Sequence, residues 1–465
     1  MKKHKSVILS IFLSSLLIFI LGACFSWAQE ESVKKTLFTL NSFSTSLSSL
    51  KNSDSDDEKI YLTLQKAIEI ALSENKGILV AKEKVDEAEQ IIKIARSSYF
   101  PSLDLSGTYT RLREAPSMSI PFLGTFEMGK KDNYSAILSF TQPIYTSGRI
   151  NLGYKQAKFG HQKEKENLNY KENELIFEVK KAFYSVLLAQ ENVKLFKDAL
   201  KQAQRHLSIV EGFYQTGRIS KFDLLRAKVE VANLKPNLIR AENNLRLAKE
   251  GLAILLSLPA HSIRLSGEFK FEPIRINLEE ALKKALSSRN DLKSLNLQRD
   301  IIEVYSRLAK LAHAPSLYLR GNYQYNKPSG GEDEWGEDWN INLVLSLSLF
   351  DGGKSQTIIK QRKSQLKEVE LSLGQLKDRI MLEVKSAFWG MEVAEESISA
   401  QKENIGQAEE ALSIAELRYK SGMITNLEVL DAQLALTQAK MGYLKSLYDY
   451  NIAKAKLKKA MNNSI

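Results

Sequence analysis

YQTGRISKFDLLRA (residues 214–227) and YKSGMITNLEVLDA (residues 419–432) are two writings of one text. Each runs Tyr, two residues, Gly, two residues, Ser or Thr, two residues, then a carboxylate. Gly217 and Gly422 supply the left-handed residue that commonly ends a helix. Ser220 and Thr425 are N-caps, with Asp223 and Glu428 at the third helical position, where a carboxylate completes a capping box and suits the helix dipole. Each stretch therefore predicts the tip of a helical hairpin, and the chain carries two.

The echo extends outward from the tips. Leu62–Leu72 matches Ile276–Leu286, and Phe100-Pro101-Ser102-Leu103 matches Ala314-Pro315-Ser316-Leu317. Tyr145-Thr-Ser-Gly-Arg149 matches Phe350-Asp-Gly-Gly-Lys354. From Pro101 to Pro315 the offset is 214, and from Gly148 to Gly353 it is 205, so the first half holds the longer loop between these points. The chain is a tandem duplication. The first repeat spans 60–260: helix 62–98, strands 101–111 and 133–145, long helix 150–214, tip 215–220, helix 220–257. A linker, 261–275, precedes the second repeat at 276–462: helix 278–312, strands 315–327 and 338–350, long helix 354–419, tip 420–425, helix 425–461.

The long helices carry a heptad seam. Leu175, Val179, Ala182, Val186, Ala189, Val193, Phe196, Leu200, Ala203, Leu207 and Val210 alternate spacings of four and three. Ile380, Val384, Ala387, Met391, Ala394, Ile398, Gln401, Ile405, Ala408, Leu412, Ala415 and Tyr419 repeat it. A period of 3.5 implies supercoiled neighbours packed along their length. A helix from 150 to 214 extends roughly 96 Å at 1.5 Å per residue, a length that suits a rod or tube rather than a single core. Pro236 falls inside a predicted helix and predicts a kink.

The strands alternate apolar and polar. Leu103, Leu105, Gly107 and Tyr109 interleave with Asp104, Ser106 and Thr108; Trp339, Ile341, Leu343 and Leu345 interleave with Asn340 and Asn342. Aromatic residues gather near the loop ends. This is the pattern of an outer-membrane barrel, with lipid outside and water inside; a sandwich with its apolar face inward is the other reading. Four strands per chain cannot close a barrel, for which about eight are needed, so copies must pool their strands. The apolar loop Ser117–Met128 has two readings, lipid contact or folding into the pore mouth.

Lys2, Lys3 and Lys5 precede an apolar run from Val7 to Leu21, which reads as a signal peptide over residues 1–23. Two cleavage readings stand: Leu21-Gly22-Ala23-Cys24 has the form of a lipobox that would lipidate Cys24, and Ser26-Trp27-Ala28 suits the ordinary signal peptidase. Residues 24–59 form a Ser- and acid-rich, disordered linker. Cys24 is the chain's one Cys, so no intrachain disulfide forms. The net charge of +11 comes from Lys and Arg scattered among Glu along helices, a solvated face rather than a nucleic-acid surface. The five His are dispersed without ligand spacing, and neither a nucleophile motif nor a phosphate loop occurs, so no enzyme activity, cofactor or metal site is expected. The acidic loop Glu332–Asp338 reads as solvated.

The duplication, the Pro-Ser-Leu strand entries, the strand exits Gln142-Pro143-x-Tyr-x-x-Gly148-Arg149 and Phe350-Asp-Gly-Gly353, and the paired tips together resemble the TolC-like outer-membrane efflux protein family over about residues 60–462. The resemblance implies a mainly α protein with a membrane β-barrel: a homotrimer sharing twelve strands in the outer membrane above a long α-helical tunnel across the periplasm. It implies a passive exit duct for an efflux pump, as in multidrug export, or for a type I secretion system. Its implied partners are outer-membrane lipid, a periplasmic adaptor (membrane fusion protein) and an inner-membrane transporter of RND, ABC or MFS type. By motif position Tyr419 is similar to the aromatic gate residue, and Glu428 and Asp431 to the acidic ring at the entrance. Asp223 matches a carboxylate that holds the tips shut through an Arg, but that Arg position here is Ile424, leaving Arg218 or Lys420 for the task. Gly217, Arg218, Ile219, Ser220, Gly422, Ile424 and Thr425 match the adaptor-docking surface. Read from the residues alone, these tips equally suit any helical hairpin, and the carboxylates equally suit mere caps. A structural periplasmic coiled-coil or adaptor protein without a pore is the alternative function.

Overall fold

The computed structural model describes residues 60–122, 124–330 and 332–462. The signal-peptide, Cys24 and linker readings lie outside these residues. Among the described residues no helix is long and apolar enough to cross a membrane.

Each half opens with two helices where the sequence predicts one. In the first half β1 (Ile60–Leu62) leads to α1 (Leu64–Glu74) and α2 (Lys76–Ser97), broken at Asn75. In the second, α5 (Leu278–Ser288) and α6 (Asn290–Lys310) break at Arg289, 214 residues after Asn75. Both breaks have extended backbone, with ψ of 122° at Asn75 and 130° at Arg289. The predicted continuous helices 62–98 and 278–312 are corrected accordingly. Neither break holds Pro or Gly, so helical periodicity passes over it unseen; side-chain bonds make the junction. Asn75 accepts from the Gly77 N–H at 2.9 Å and donates to the Leu255 carbonyl at 3.0 Å. Asn75→Ala loses a cap and a bond between helices, and should lower unfolding free energy by about 1–2 kcal/mol, read from denaturant unfolding in detergent.

Arg289 is 7% exposed and spans to Asp291 at 2.7 Å and Glu383 at 2.6 Å. Burial alone would lower its pKa; the bonds to Asp291 and Glu383 reverse this and raise it above the ordinary Arg value. Lys459 pairs with Glu174 at 2.5 Å and lies 3.9 Å from Glu383, so the two halves meet in one ionic network.

The long helices α3 (Arg149–Gln215) and α7 (Lys354–Lys420) each have 67 residues, about 100 Å at 1.5 Å per residue. They pair with α4 (Lys221–Leu256) and α8 (Asn426–Ala460). Pro236 lies within α4, which continues through it. Most of the seam is buried: Val179, Val186 and Val210 in α3, Ile380 and Val384 in α7, are fully so. Separate apolar clusters line the rods. One joins α1, α3 and α4; a second joins α5, α7 and α8; a third, at the tips, joins residues of both halves. The stretch 261–275 is not all linker, since β6 (Ile263–Leu265) pairs in parallel with β1.

The strands form one antiparallel sheet in the order β2 (Ser102–Arg111), β5 (Asp132–Tyr145), β7 (Ser316–Lys327), β8 (Gly336–Ser346). Register aligns the apolar residues across the sheet. Leu105 faces Leu138, Leu138 faces Tyr323, and Tyr323 faces Trp339. On the other face Asn322 donates to Asn340. Leu105, Ile341, Leu343 and Leu345 are 76%, 65%, 66% and 69% exposed. Among the described residues no second layer covers them, which sets aside the sandwich reading. Among the described residues neither edge, β2 or β8, has an outer neighbour. The loop Ser117–Met128 contains a hairpin, β3 (Ser117–Ile120) and β4 (Gly124–Glu127), which pairs Met118 with Phe126.

Candidate functional site

The two tips close by the same backbone bonds. The Gly217 N–H donates to Tyr214 O at 3.0 Å and the Arg218 N–H to Phe213 O at 2.9 Å; Gly422 and Met423 do the same to Tyr419 and Arg418 at 3.0 and 2.9 Å. Gly217 has φ of 69° and Gly422 of 74°, which a Cβ would strain. Ser220 accepts from the Asp223 N–H at 3.2 Å and donates to its carboxylate at 2.6 Å. Glu428 accepts from the Thr425 N–H at 3.2 Å and from its hydroxyl at 3.1 Å, through one oxygen. Ile219 and Ile424 are half-buried against the shared tip cluster.

Glu428 and Asp431 are exposed, three residues apart on one side of α8, and make no ion pair among the described residues. The cap takes a single Glu428 oxygen, so both side chains keep acceptor capacity toward solvent. Phe222, Leu225, Leu417 and Met423 add apolar surface at the tips, exposed by 67%, 50%, 64% and 69%.

Tyr419 is turned inward. It is 5% exposed, with its ring 5.1 Å from that of His206 and 5.7 Å from that of Phe213. Its hydroxyl is buried and has no hydrogen-bond partner among the described residues. Burial, with Asp223 nearby, raises its pKa above the ordinary tyrosine value.

Neither Arg218 nor Lys420 makes an ion pair with Asp223 among the described residues; the Arg218 guanidinium lies over the Phe213 ring instead, at 5.7 Å. Two residues that sequence reasoning passed over make the cross-link between tips. Asn426, 2% exposed, donates through Nδ2 to the Asp223 carbonyl at 3.1 Å. Its Oδ1 lies 2.7 Å from His206 Nε2. With the amide nitrogen committed to Asp223, Oδ1 accepts, and Nε2 of neutral His206 carries the proton. His206, 5% exposed, takes the buried position where the seam predicts Leu207, which is half-buried. Its pKa is lowered by burial, against the opposing pull of Asn426 and Glu416. Farther up the rods Gln202 donates to Glu416 at 3.3 Å, again across the halves. The sole local signal for this link was a polar residue beside an apolar seam.

The geometry is thus a four-helix tip, stapled between repeats by buried polar bonds, bearing outward carboxylates and apolar patches. Comparison with known proteins matches residues 67–257 and 281–463 to the family model described as outer membrane efflux protein. The outer membrane protein TolC of Vibrio cholerae is 23% identical over 386 residues, covering 81% of this chain and 85% of that one. TolC of Escherichia coli K12 is 25% identical over 393 residues, covering 77% and 78%. The crystal structure of the Campylobacter jejuni CmeC outer membrane channel superposes with a TM-score of 0.77 at 19% identity, covering 88% of this chain and 87% of that one.

Proposed function

We propose, from the premise that this chain belongs to the outer membrane efflux protein family and is an outer-membrane exit duct for efflux or type I secretion, that three copies build the working channel. Three sheets of four strands would close a twelve-stranded barrel, and β2 of one copy would pair with β8 of the next. The carrying observation is the four-strand register, which gathers the apolar side chains on one uncovered face and leaves both edges open. Exposed edges and an exposed apolar face together are costly in water, and closing a barrel in lipid removes both costs. The two repeats of three copies would supply the long helices of the tunnel.

In this reading the tips are the periplasmic entrance. Tyr419 and Asp223 belong to the closing mechanism, and Glu428 and Asp431 face the aperture as roughly six carboxylates per trimer. An adaptor docks on Gly217, Arg218, Ile219, Ser220, Gly422, Ile424 and Thr425, with Phe222, Leu225 and Met423 as apolar anchors, and joins the duct to an inner-membrane transporter. The duct does no chemistry, and opening is an outward movement of the tips.

Purified mature chain should run as a detergent-dependent trimer and conduct ions in a planar bilayer. A water-soluble monomer that passes no ions would overturn the reading and favour the coiled-coil adaptor.

A further inference from the structure

Where strands meet helices, both repeats keep positive charge at matching positions. Lys93 and Arg96 close α2; Arg307 and Lys310 close α6, 214 residues on. Arg149, Lys155 and Lys158 open α3; Lys354, Lys360 and Lys363 open α7, 205 residues on. Carboxylates withdraw from the same stretches. None occurs between Glu89 and Asp104, between Asp132 and Glu164, or between Glu303 and Glu332, and Asp351 stands alone between Asp338 and Glu368. Two repeats that have otherwise diverged at most positions retain this charge pattern.

Arg149 is taken up locally, donating to the Thr146 and Ala314 carbonyls. Lys93 and Arg307 each keep a glutamate one turn away. Arg96, Lys310, Lys155, Lys158, Lys354, Lys360 and Lys363 are exposed and make no ion pair among the described residues. Lys158 lies 4.6 Å over the Tyr154 ring, which packs edge-on to Tyr99, and Lys155 lies 5.4 Å over Phe159. On the strand side of this junction Phe100, Tyr145, Leu349 and Phe350 are 58%, 55%, 85% and 83% exposed. From strands to rods, exposed apolar and aromatic residues give way to cations with aromatic rings set among them, which fits the passage from acyl chain through the interface to phosphate in a bilayer leaflet.

We propose that these paired cations form a collar that binds the phosphate headgroups of anionic phospholipid in the periplasmic leaflet, an inference that rests on the barrel lying in the outer membrane. The collar would fix the depth of the duct and surround it with anionic lipid.

The full chain in detergent, offered equal phosphatidylglycerol and phosphatidylcholine and examined by native mass spectrometry, should retain the anionic lipid with a preference of about tenfold, as a few surface cations acting on one headgroup would give. Lys155→Gln, Lys158→Gln, Lys360→Gln and Lys363→Gln together should abolish the preference, and Lys→Arg at the same four positions should keep it. These positions are exposed, so an unchanged melting temperature is expected. Equal retention of both lipids by the wild type overturns the proposal. So does a Gln variant that keeps its lipid preference while its channel changes ion selectivity, because the charges would then face the pore. Conductance measured on the same preparation separates the two failures: a chain that conducts without lipid preference refutes the collar alone, and one that does not conduct refutes the duct.

Discussion

Glu428→Gln with Asp431→Asn should raise the concentration of divalent cation needed for half-block of single channels by about tenfold or more. The expected size follows from Coulomb's law. At an effective dielectric of about 20 and a separation of about 8 Å, one unit pair is worth roughly 2 kcal/mol, and a Debye length of about 8 Å cuts this to under 1. A divalent ion on the axis would feel roughly six carboxylates at once, so the sum exceeds the 1.4 kcal/mol that makes a factor of about ten. Gln at the third helical position still closes a capping box, so the first substitution leaves the tip intact. The same change to Ala would mix charge loss with cap loss. Block recorded in planar bilayers decides the matter: an unaltered half-block concentration would mean that these carboxylates are caps and nothing more.

Asn426→Ala should open the tips. It removes the bond to the Asp223 carbonyl and leaves the buried Nε2–H of His206 without its acceptor. An orphaned buried donor costs about 1–3 kcal/mol. If closed and open tips are in equilibrium, that cost moves the ratio by roughly 5- to 150-fold toward open, seen as larger single-channel conductance. Acid should act on the same cluster by burial of charge: protonation puts a cation on buried His206 through Nδ1 while the Nε2–H bond to Asn426 persists. His206 is held neutral with a pKa below the ordinary histidine value. Its contribution is therefore complete above about pH 6.5 and is lost as pH falls through the lowered value. Glu416, the carboxylate acting on His206, opposes the loss without reversing its sign. Wild-type conductance should rise on acidification, while His206→Leu should be open already and flat with pH. A wild type that is flat down to pH 5, with Asn426→Ala unaltered in conductance, would remove the link from the gating account.

The local text made much of this protein legible. Capping chemistry acts within four residues, and Gly217, Ser220, Gly422 and Thr425 take the conformations their types prefer. Alternation along a strand reports which side chains share a face, and the duplication repeats each message. The breaks at Asn75 and Arg289 were passed over: each has a local partner, Gly77 or Asp291, but is completed by one far along the chain, Leu255 or Glu383. A lone Asn or Arg in a helical stretch gives no notice of them.

By itself the sequence determined the two-repeat plan, the hairpin tips and the amphipathic strands, since all three rest on interactions among near neighbours. The tertiary structure decided which residue of a long rod faces inward at a given height. A heptad seam drifts by about 20° per heptad against a straight helix, and over 67 residues that drift is corrected or not by the partner rod. So the buried stripe passes through His206 instead of Leu207, where Asn426, 220 residues away, meets it. The joint register of four strands was likewise decided in space, because hydrogen bonding between strands, not the alternation within any one, sets which residues stand side by side.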